Sequence, residues 1–322
     1  MTATGSRTDR GFRGNLSDAD IRLLKVFRAV VDAGGFSAAE VTLGKSKSAI
    51  SLDISHLEKR LGARLCTRGP RGFALTREGH AIHHAAIQLG TDLERFRDRV
   101  GAALGEIGGR VSLFLVDNIV SIAEAPLVQA LAEFGRAHPR VIVRVESATP
   151  SGVERAVLEG EADLGISVVP RPMDALEMIP LFREELRLYC GQSHPLFDSA
   201  PEELTAEAVM QHSLVRPSVT EEPAARDLMT GFPVSGEASN LDARILLVLS
   251  GLHLVFLPPH YAGTWLARGD IREIRPDLFA STNTFHLQTK KSVRQTAAAD
   301  RLMQTILRAF RASATGLPLA GG

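Results

Sequence analysis

Apolar residues recur along this chain with two different periods, and the change of period divides it. Over roughly the first third the spacing is helical. Ile21, Leu24, Phe27 and Val31 follow Ser17-Asp18-Ala19-Asp20, a serine cap with an acid three residues later. This helix is expected to stop at Gly34-Gly35, where a left-handed cap costs little. A short helix, a turn at Gly44 and a second helix from about Ser46 come next. Ile50, Ile54, Leu57 and Leu61 give that second helix one buried stripe. Residues 64–75 hold two short apolar pieces around Arg68-Gly69-Pro70-Arg71-Gly72, which predicts a hairpin with a basic tip. From about 77 to 104 the pattern is one long helix. Its Ile82, Ala86, Leu89, Leu93, Phe96 and Val100 alternate spacings of four and three, a heptad seam that a second copy of the chain is expected to cover; packing against the chain's own domain is the alternative.

Gly105-Glu106-Ile107-Gly108-Gly109 interrupts that helix as a hinge. Beyond it short apolar runs alternate with helical stretches: strands over 111–116, 141–145 and 164–168, helices over 122–137 and 152–158. A different unit begins near 181–191 and continues through Leu214-Val215, a helix over 241–249 and a strand over 254–257. Residues 285–289 and a last helix over 297–311 return to the first unit. The pattern predicts a mostly parallel sheet with helices on both faces, arranged as a two-lobed α/β clamp. The domain expectation is a disordered tail over 1–15, a helical domain with a hairpin wing over 16–76, a linker helix over 77–104, a hinge over 105–109 and an α/β domain over 110–311. In the last, lobe I takes about 110–180 and 285–311 and lobe II about 181–284; residues 312–322 form a tail.

Charge adds information only locally. The whole chain is formally neutral, with 37 Lys plus Arg against 37 Asp plus Glu. Between 45 and 77, however, Lys45, Lys47, Lys59, Arg60, Arg64, Arg68, Arg71 and Arg77 face only Asp53 and Glu58, the footprint of a duplex contact. Opposite the apolar stripe of the second helix stand Lys47, Ser48, Ser51, Leu52 and Ser55. Small hydroxyls and a lysine near a helix N-terminus suit close approach to base edges and phosphate. The candidate DNA contacts are Lys45, Ser46, Lys47, Ser48, Ser51, Leu52 and Ser55, with Arg68 and Arg71 on the hairpin.

Residues 23–81 resemble the winged helix-turn-helix of the LysR-type transcriptional regulators. The matching pieces are Phe27 with Val30, Gly35-Phe36-Ser37-Ala38-Ala39, Ser46-x-Ser48-Ala49-Ile50-Ser51, Ile54-x-x-Leu57-Glu58-x-x-Leu61-Gly62, Arg64-Leu65, Arg68 and Leu75-Thr76-x-x-Gly79. A weaker likeness to the family's effector domain, akin to periplasmic binding proteins, runs to about residue 311. Ala162-Asp163-Leu164-Gly165-Ile166 and Val248-x-x-Gly251-Leu252-x-Leu254-x-x-Leu257-Pro258 carry it. The resemblance implies a multidomain chain: an all-α winged helix-turn-helix, a linker helix and a two-lobed effector domain. It also implies double-stranded DNA, a small-molecule effector and other copies of the chain as partners, as a dimer of dimers, with RNA polymerase a further candidate. Lys47 stands where the family usually has Gln, Leu52 where it has a polar or basic residue, Cys66 where it has Phe and His253 where it has Gly.

Ligands of such folds bind beyond the carboxyl ends of parallel strands. Those ends supply Asp117, Asn118, Thr149, Ser151 and Ser167 from lobe I, and Arg216 and Ser239 from lobe II, as candidate effector contacts. Thr149, Ser151 and Ser239 are equally good helix caps or turn formers. An acid at Asp117 opposes an anionic effector and suits an amine or hydroxyl. Enzyme motifs are missing: the sequence has no G-x-S-x-G elbow, P-loop, H-E-x-x-H or strand-borne G-x-G-x-x-G. No cofactor is expected, and His80, His83 and His84 lack a third ligand type at metal spacing. Two cysteines, Cys66 and Cys190, exclude a disulfide framework. No apolar run approaches the ~18 residues of a membrane span and no secretory leader is visible, so a cytoplasmic protein is expected. The rival reading is a small-molecule-binding protein or α/β enzyme with a helical accessory domain that ignores DNA.

Overall fold

The computed structural model describes residues 15–69, 72–104, 107–117, 119–169, 173–217, 223–291 and 295–313. The chain divides into two compact units, Met1–Arg95 and Phe96–Gly322.

In the first unit α1 (Asp18–Asp32), α2 (Ala39–Leu43) and α3 (Lys47–Leu61) precede a hairpin of β1 (Cys66–Gly69) and β2 (Gly72–Leu75) and then α4 (Arg77–Ala103), which runs on past Arg95 into the second unit. Each boundary has a local cause. Ser17 and Asp20 form the reciprocal cap of α1. Gly44, at φ 58°, ends α2, and Gly62, at φ 68°, ends α3; both are left-handed positions that favour glycine. Ser46 opens α3 by accepting from the Ala49 N–H at 3.4 Å. The core is Leu24, Phe27 and Val30 of α1 against Ile50, Ile54 and Leu57 of α3, closed by Phe36 and Leu65. Ile21 and Val31 sit at the margin, half-buried.

The long helix departs from expectation in its first half. Ala86 is buried in the core of this same unit, with Ile82 and Leu89 packed against it. The reason is the wing: Gly79 sits so close to Leu65 that a Cβ there would meet its carbonyl oxygen at 1.9 Å, which brings the start of α4 against α1 and α3. Ala86 is therefore corrected from dimer seam to domain core, whereas Ile82 and Leu89, half-buried, keep part of their surface open. Leu93 is half-buried, whereas Phe96 and Val100 are exposed by 64% and 46%.

The second unit contains β3 (Gly109–Leu115), α5 (Val120–Ala137), β4 (Val141–Ser147), α6 (Pro150–Glu159), β5 (Leu164–Val168), β6 (Leu176–Gly191), α7 (Ala206–Val209), β7 (Leu214–Pro217), α8 (Pro223–Met229), β8 (Val234–Ala238), α9 (Leu241–Leu249), β9 (Leu254–Leu257), α10 (Pro259–Arg268), β10 (Ile271–Glu273), β11 (Ala280–Lys290) and α11 (Ala297–Ala312). One sheet runs β4-β3-β5-β11-β6-β9-β7-β8, with β10 paired to β6. Pairing is parallel within β4-β3-β5 and within β9-β7-β8, but β11 and β6 are antiparallel to each other and to their neighbours. The sheet is thus mixed rather than mostly parallel. β6 and β11 form a ribbon that crosses both lobes, and its register shifts between Phe285 and His286, opposite Phe182 and Pro180. A proline has no N–H to give a ladder, so the irregularity falls where pairing is weakest. Lobe I packs Leu113, Leu164, Phe182, Phe285 and Phe310 into one core. Lobe II has cores on both sides of its sheet, around Leu188 and Phe256 on one face and Tyr189 and Val255 on the other.

Candidate functional site

The helix that follows Gly44 presents two unlike faces. Ile50, Ile54, Leu57 and Leu61 are buried, while Ser46, Lys47, Ser48, Leu52 and Ser55 are exposed and Ser51 is half-buried. Leu52, exposed by 57%, is a large apolar side chain facing outward among serines. The polar side chains are held in place locally. Ser46 and Ser48 hydroxyls lie 3.0 Å apart, Ser55 donates to the Ser51 carbonyl at 2.9 Å, and Glu40 of α2 accepts from the Lys47 N–H at 2.6 Å. Lys45, just ahead of the cap, is tied to Asp53 of α3 at 2.6 Å, so its ammonium is shared with an acid of that helix. Glu58 accepts from the Leu65 N–H at 2.7 Å and fixes the approach to the wing. The Arg68 side chain and all of Arg71 lie outside the described residues.

The second site is a cleft between the lobes. Asp117, just past β3, reaches α9 and accepts from the Leu241 N–H at 3.3 Å. Glu184 and Asn283, paired across β6 and β11, form the floor, with Ser239 and Arg244 on the far side. The cavity measures about 70 Å³. Glu184 is buried and binds His260 of α10 at 3.0 Å, and His260 in turn bonds Ser121 of α5 at 3.0 Å. These contacts join the lobes through side chains. Tyr261, next in α10, donates to Asp242 at 2.6 Å, and its phenol is pushed above the usual range by burial, then by Asp242 and Asp117.

Of the expected effector contacts, Asp117 and Ser239 line this cleft. Asn118 lies outside the described residues. Thr149 caps α6, accepting from the Gly152 N–H at 3.2 Å, and Ser151 bonds Thr149 rather than lining the cavity. Two assignments are corrected. Ser167 is fully buried and donates to the Val168 carbonyl at 2.9 Å, because β5 is a central strand covered on both faces. Arg216 is exposed and paired with Glu237 of β8, away from the cleft lining. Sequence reasoning missed Glu184, Asn283 and Arg244. Arg244 had a signal: it lies three residues after Leu241, on the same helix face. Glu184 and Asn283 had none, since their meeting depends on pairing strands about a hundred residues apart.

A helix-turn-helix with an exposed polar face, joined in one chain to a two-lobed α/β clamp, defines a DNA-binding transcriptional regulator controlled by a small molecule. The LysR substrate binding domain matches residues 105–311, and the bacterial regulatory helix-turn-helix of the lysR family matches residues 21–80. The chain belongs to the LysR family of transcriptional regulators. It is 35% identical over 293 residues to the HTH-type transcriptional activator BauR of Pseudomonas aeruginosa, spanning 91% of this chain and 96% of that one. It is 28% identical over 297 residues to the SDS degradation transcriptional activation protein of a Pseudomonas species, spanning 89% and 95%. Among solved structures, CbnR, a LysR family transcriptional regulator, superposes with a TM-score of 0.63 at 22% identity, over 90% of this chain and 98% of that one. Full-length CbnR with its target DNA gives 0.62 at 22% identity, over 90% and 99%. These structural likenesses concern the fold. Among the described residues no helix is long and apolar enough to cross a membrane.

Proposed function

We propose that α3 enters the major groove of its operator, with Ser46, Lys47, Ser48, Ser51, Leu52 and Ser55 facing the bases and phosphates and the hairpin wing, Arg68 and Arg71 included, on the backbone. The observation that carries this reading is the exposure of that face opposite the buried Ile50-Ile54-Leu57-Leu61 stripe. Leu52 offers apolar contact to a thymine methyl, and Lys47 favours guanine acceptors or phosphate. The operator is read by a homo-oligomer, for which Phe96 and Val100 supply exposed apolar surface on α4. The effector sits between the lobes, against Asp117 and Ser239, and shifts the population of lobe arrangements, hence the spacing and bend of the half-sites held. The working division keeps the helix-turn-helix through residue 76, the linker helix through 104 and the effector domain over 110–311. The protein works in the cytoplasm, catalyses no reaction and meets RNA polymerase at the promoter.

Footprinting on genomic DNA tests the reading. Protected half-sites spaced by about one helical turn or a multiple of it are expected. Purified protein that ignores duplex DNA even in dilute buffer would refute it.

A further inference from the structure

The cleft has an uneven account of donors and acceptors. Its helix N-terminus, where an anion would ordinarily be seated, is already served by the chain itself: Asp117 accepts from the Leu241 N–H at 3.3 Å and Asn240 accepts from the Ala243 N–H at 2.8 Å. Arg244 is buried, donates from Nη1 to the Phe256 carbonyl at 3.5 Å and adds a guanidinium to the cavity wall.

Acceptors with capacity to spare also line the cavity. Asn283 is only 5% exposed, and its Oδ1 has no hydrogen-bond partner among the described residues. A buried acceptor left unmet is costly, so this one favours any ligand that brings a donor. Directly across the ladder stands Glu184, on the same face of the ribbon. Its Oε1 meets His260, and a carboxylate has room for further donors. Asp117 likewise uses Oδ2 for α9. Three acceptors, two of them carboxylates, therefore line one small cavity.

We infer that the effector is a small ammonium-bearing molecule, its N–H donors directed to Asn283, Glu184 and Asp117. This assignment rests on the reading of the cleft as the effector site. An ammonium has three donors and no acceptor, which matches the demand of the site. A carboxylate without an amine could meet Arg244 but would stand against two acids, Glu184 and Asp117, and would compete with Asp117 for the N-terminus of α9. The amine also acts on the lobes. By bonding Asp117 it fixes a side chain that joins the end of β3 to the start of α9, so the contact that recognises the ligand also holds the lobes together.

The test uses the full-length protein, with calorimetric titration and thermal unfolding against n-propylamine, ethanolamine and propionate at matched pH and ionic strength. The amines are expected to bind and raise the melting temperature, and propionate is not. Glu184→Gln, which keeps the shape and the contact to His260, is expected to weaken amine binding about tenfold. Asn283→Asp adds negative charge at the unmet acceptor and is expected to strengthen it, a gain that a purely structural role would not produce. If Asn283→Asp fails to fold, the wild-type series and Glu184→Gln decide. Propionate stabilising as well as the amines, or neither amine binding, overturns the assignment. Retention of duplex DNA by the same sample separates the two levels: DNA bound without amine binding removes only the effector class, whereas loss of both removes the regulator reading.

Discussion

Arg60, in the last turn of α3, grips Asp20, in the first turn of α1, with a two-pronged contact: Nε to Oδ1 at 3.0 Å and Nη2 to Oδ2 at 3.2 Å. Asp20 meanwhile accepts from the Ser17 N–H at 2.9 Å and the Ser17 hydroxyl at 2.8 Å. One carboxylate thus both starts α1 and anchors the helix proposed to read DNA. Arg60 first, then the Ser17 N–H and hydroxyl, hold its pKa well below the ordinary 3.8.

Asp20→Asn is therefore expected to lower the melting temperature of the N-terminal unit and to loosen the end of α3. The sign with pH follows from the lowered pKa. Asp20 contributes fully above pH 3.8 and its contribution is lost as pH falls further, because the unfolded chain then binds the proton first. Acid unfolding followed by circular dichroism should show wild type losing this advantage over Asp20→Asn below that point.

Two substitutions probe the outward face of α3. Ser51→Glu places a negative charge against phosphate and is expected to abolish operator binding while leaving assembly intact. Lys47→Ala is expected to lower the slope of log affinity against log salt by about one, the signature of a lost phosphate contact. Gel shifts across a salt series, with sedimentation to check assembly, measure both. Normal footprinting by the Ser51→Glu protein would refute the placement of this helix.

Gly191 ends β6 where a Cβ would lie 2.1 Å from the Val248 carbonyl oxygen of α9. Backbone cannot yield there as a flexible side chain would. Gly191→Ala is expected to cost about 1–3 kcal/mol as α9 is pushed from the sheet. Denaturant unfolding of the full chain reports the loss.

His194 is buried beside His212, with ring centres 4.8 Å apart, and accepts at Nδ1 from the Leu196 N–H. Burial first, then His212 and His253, lower its pKa from 6.5 to about 4. A neutral imidazole is favoured in the fold, so its contribution is present above pH 6.5 and is lost as pH falls towards 4. The difference is on the order of 3 kcal/mol. His194→Phe is expected to flatten the decline of lobe II stability in that window, measured by thermal melts at stepped pH.

Much of the local structure was legible because each signal was short-ranged. The α3 stripe, the Ser17 cap, β5, α9 and β9 follow from neighbours within a few residues. What sequence reasoning lost were elements whose identity is set by distant partners. β6 looked broken at Pro180, yet β11 carries it through as a bulged strand. β8 (Val-Ser-Gly-Glu-Ala) has no alternation to read, being an edge strand that only β7 supports. α10 was hidden behind Pro258-Pro259, although a proline at the first helical position is a good start. The cleft shared this fate: residues at strand ends could be named from order alone, but not the cross-ribbon pair beneath them. The heptad on α4 shows a different limit of periodicity: one stripe serves the home core at Ala86 and is open at Phe96.

The ribbon of β6 and β11 has a mechanical consequence. A pair of lobes joined by slack tethers can drift apart or swing freely. Here β6 and β11 connect them as laddered backbone whose register slips at Phe285-His286, so torsion about that slip is expected to be softer than separation. A truncation that tried to express either half alone would cut two zipped strands and leave raw, sticky borders.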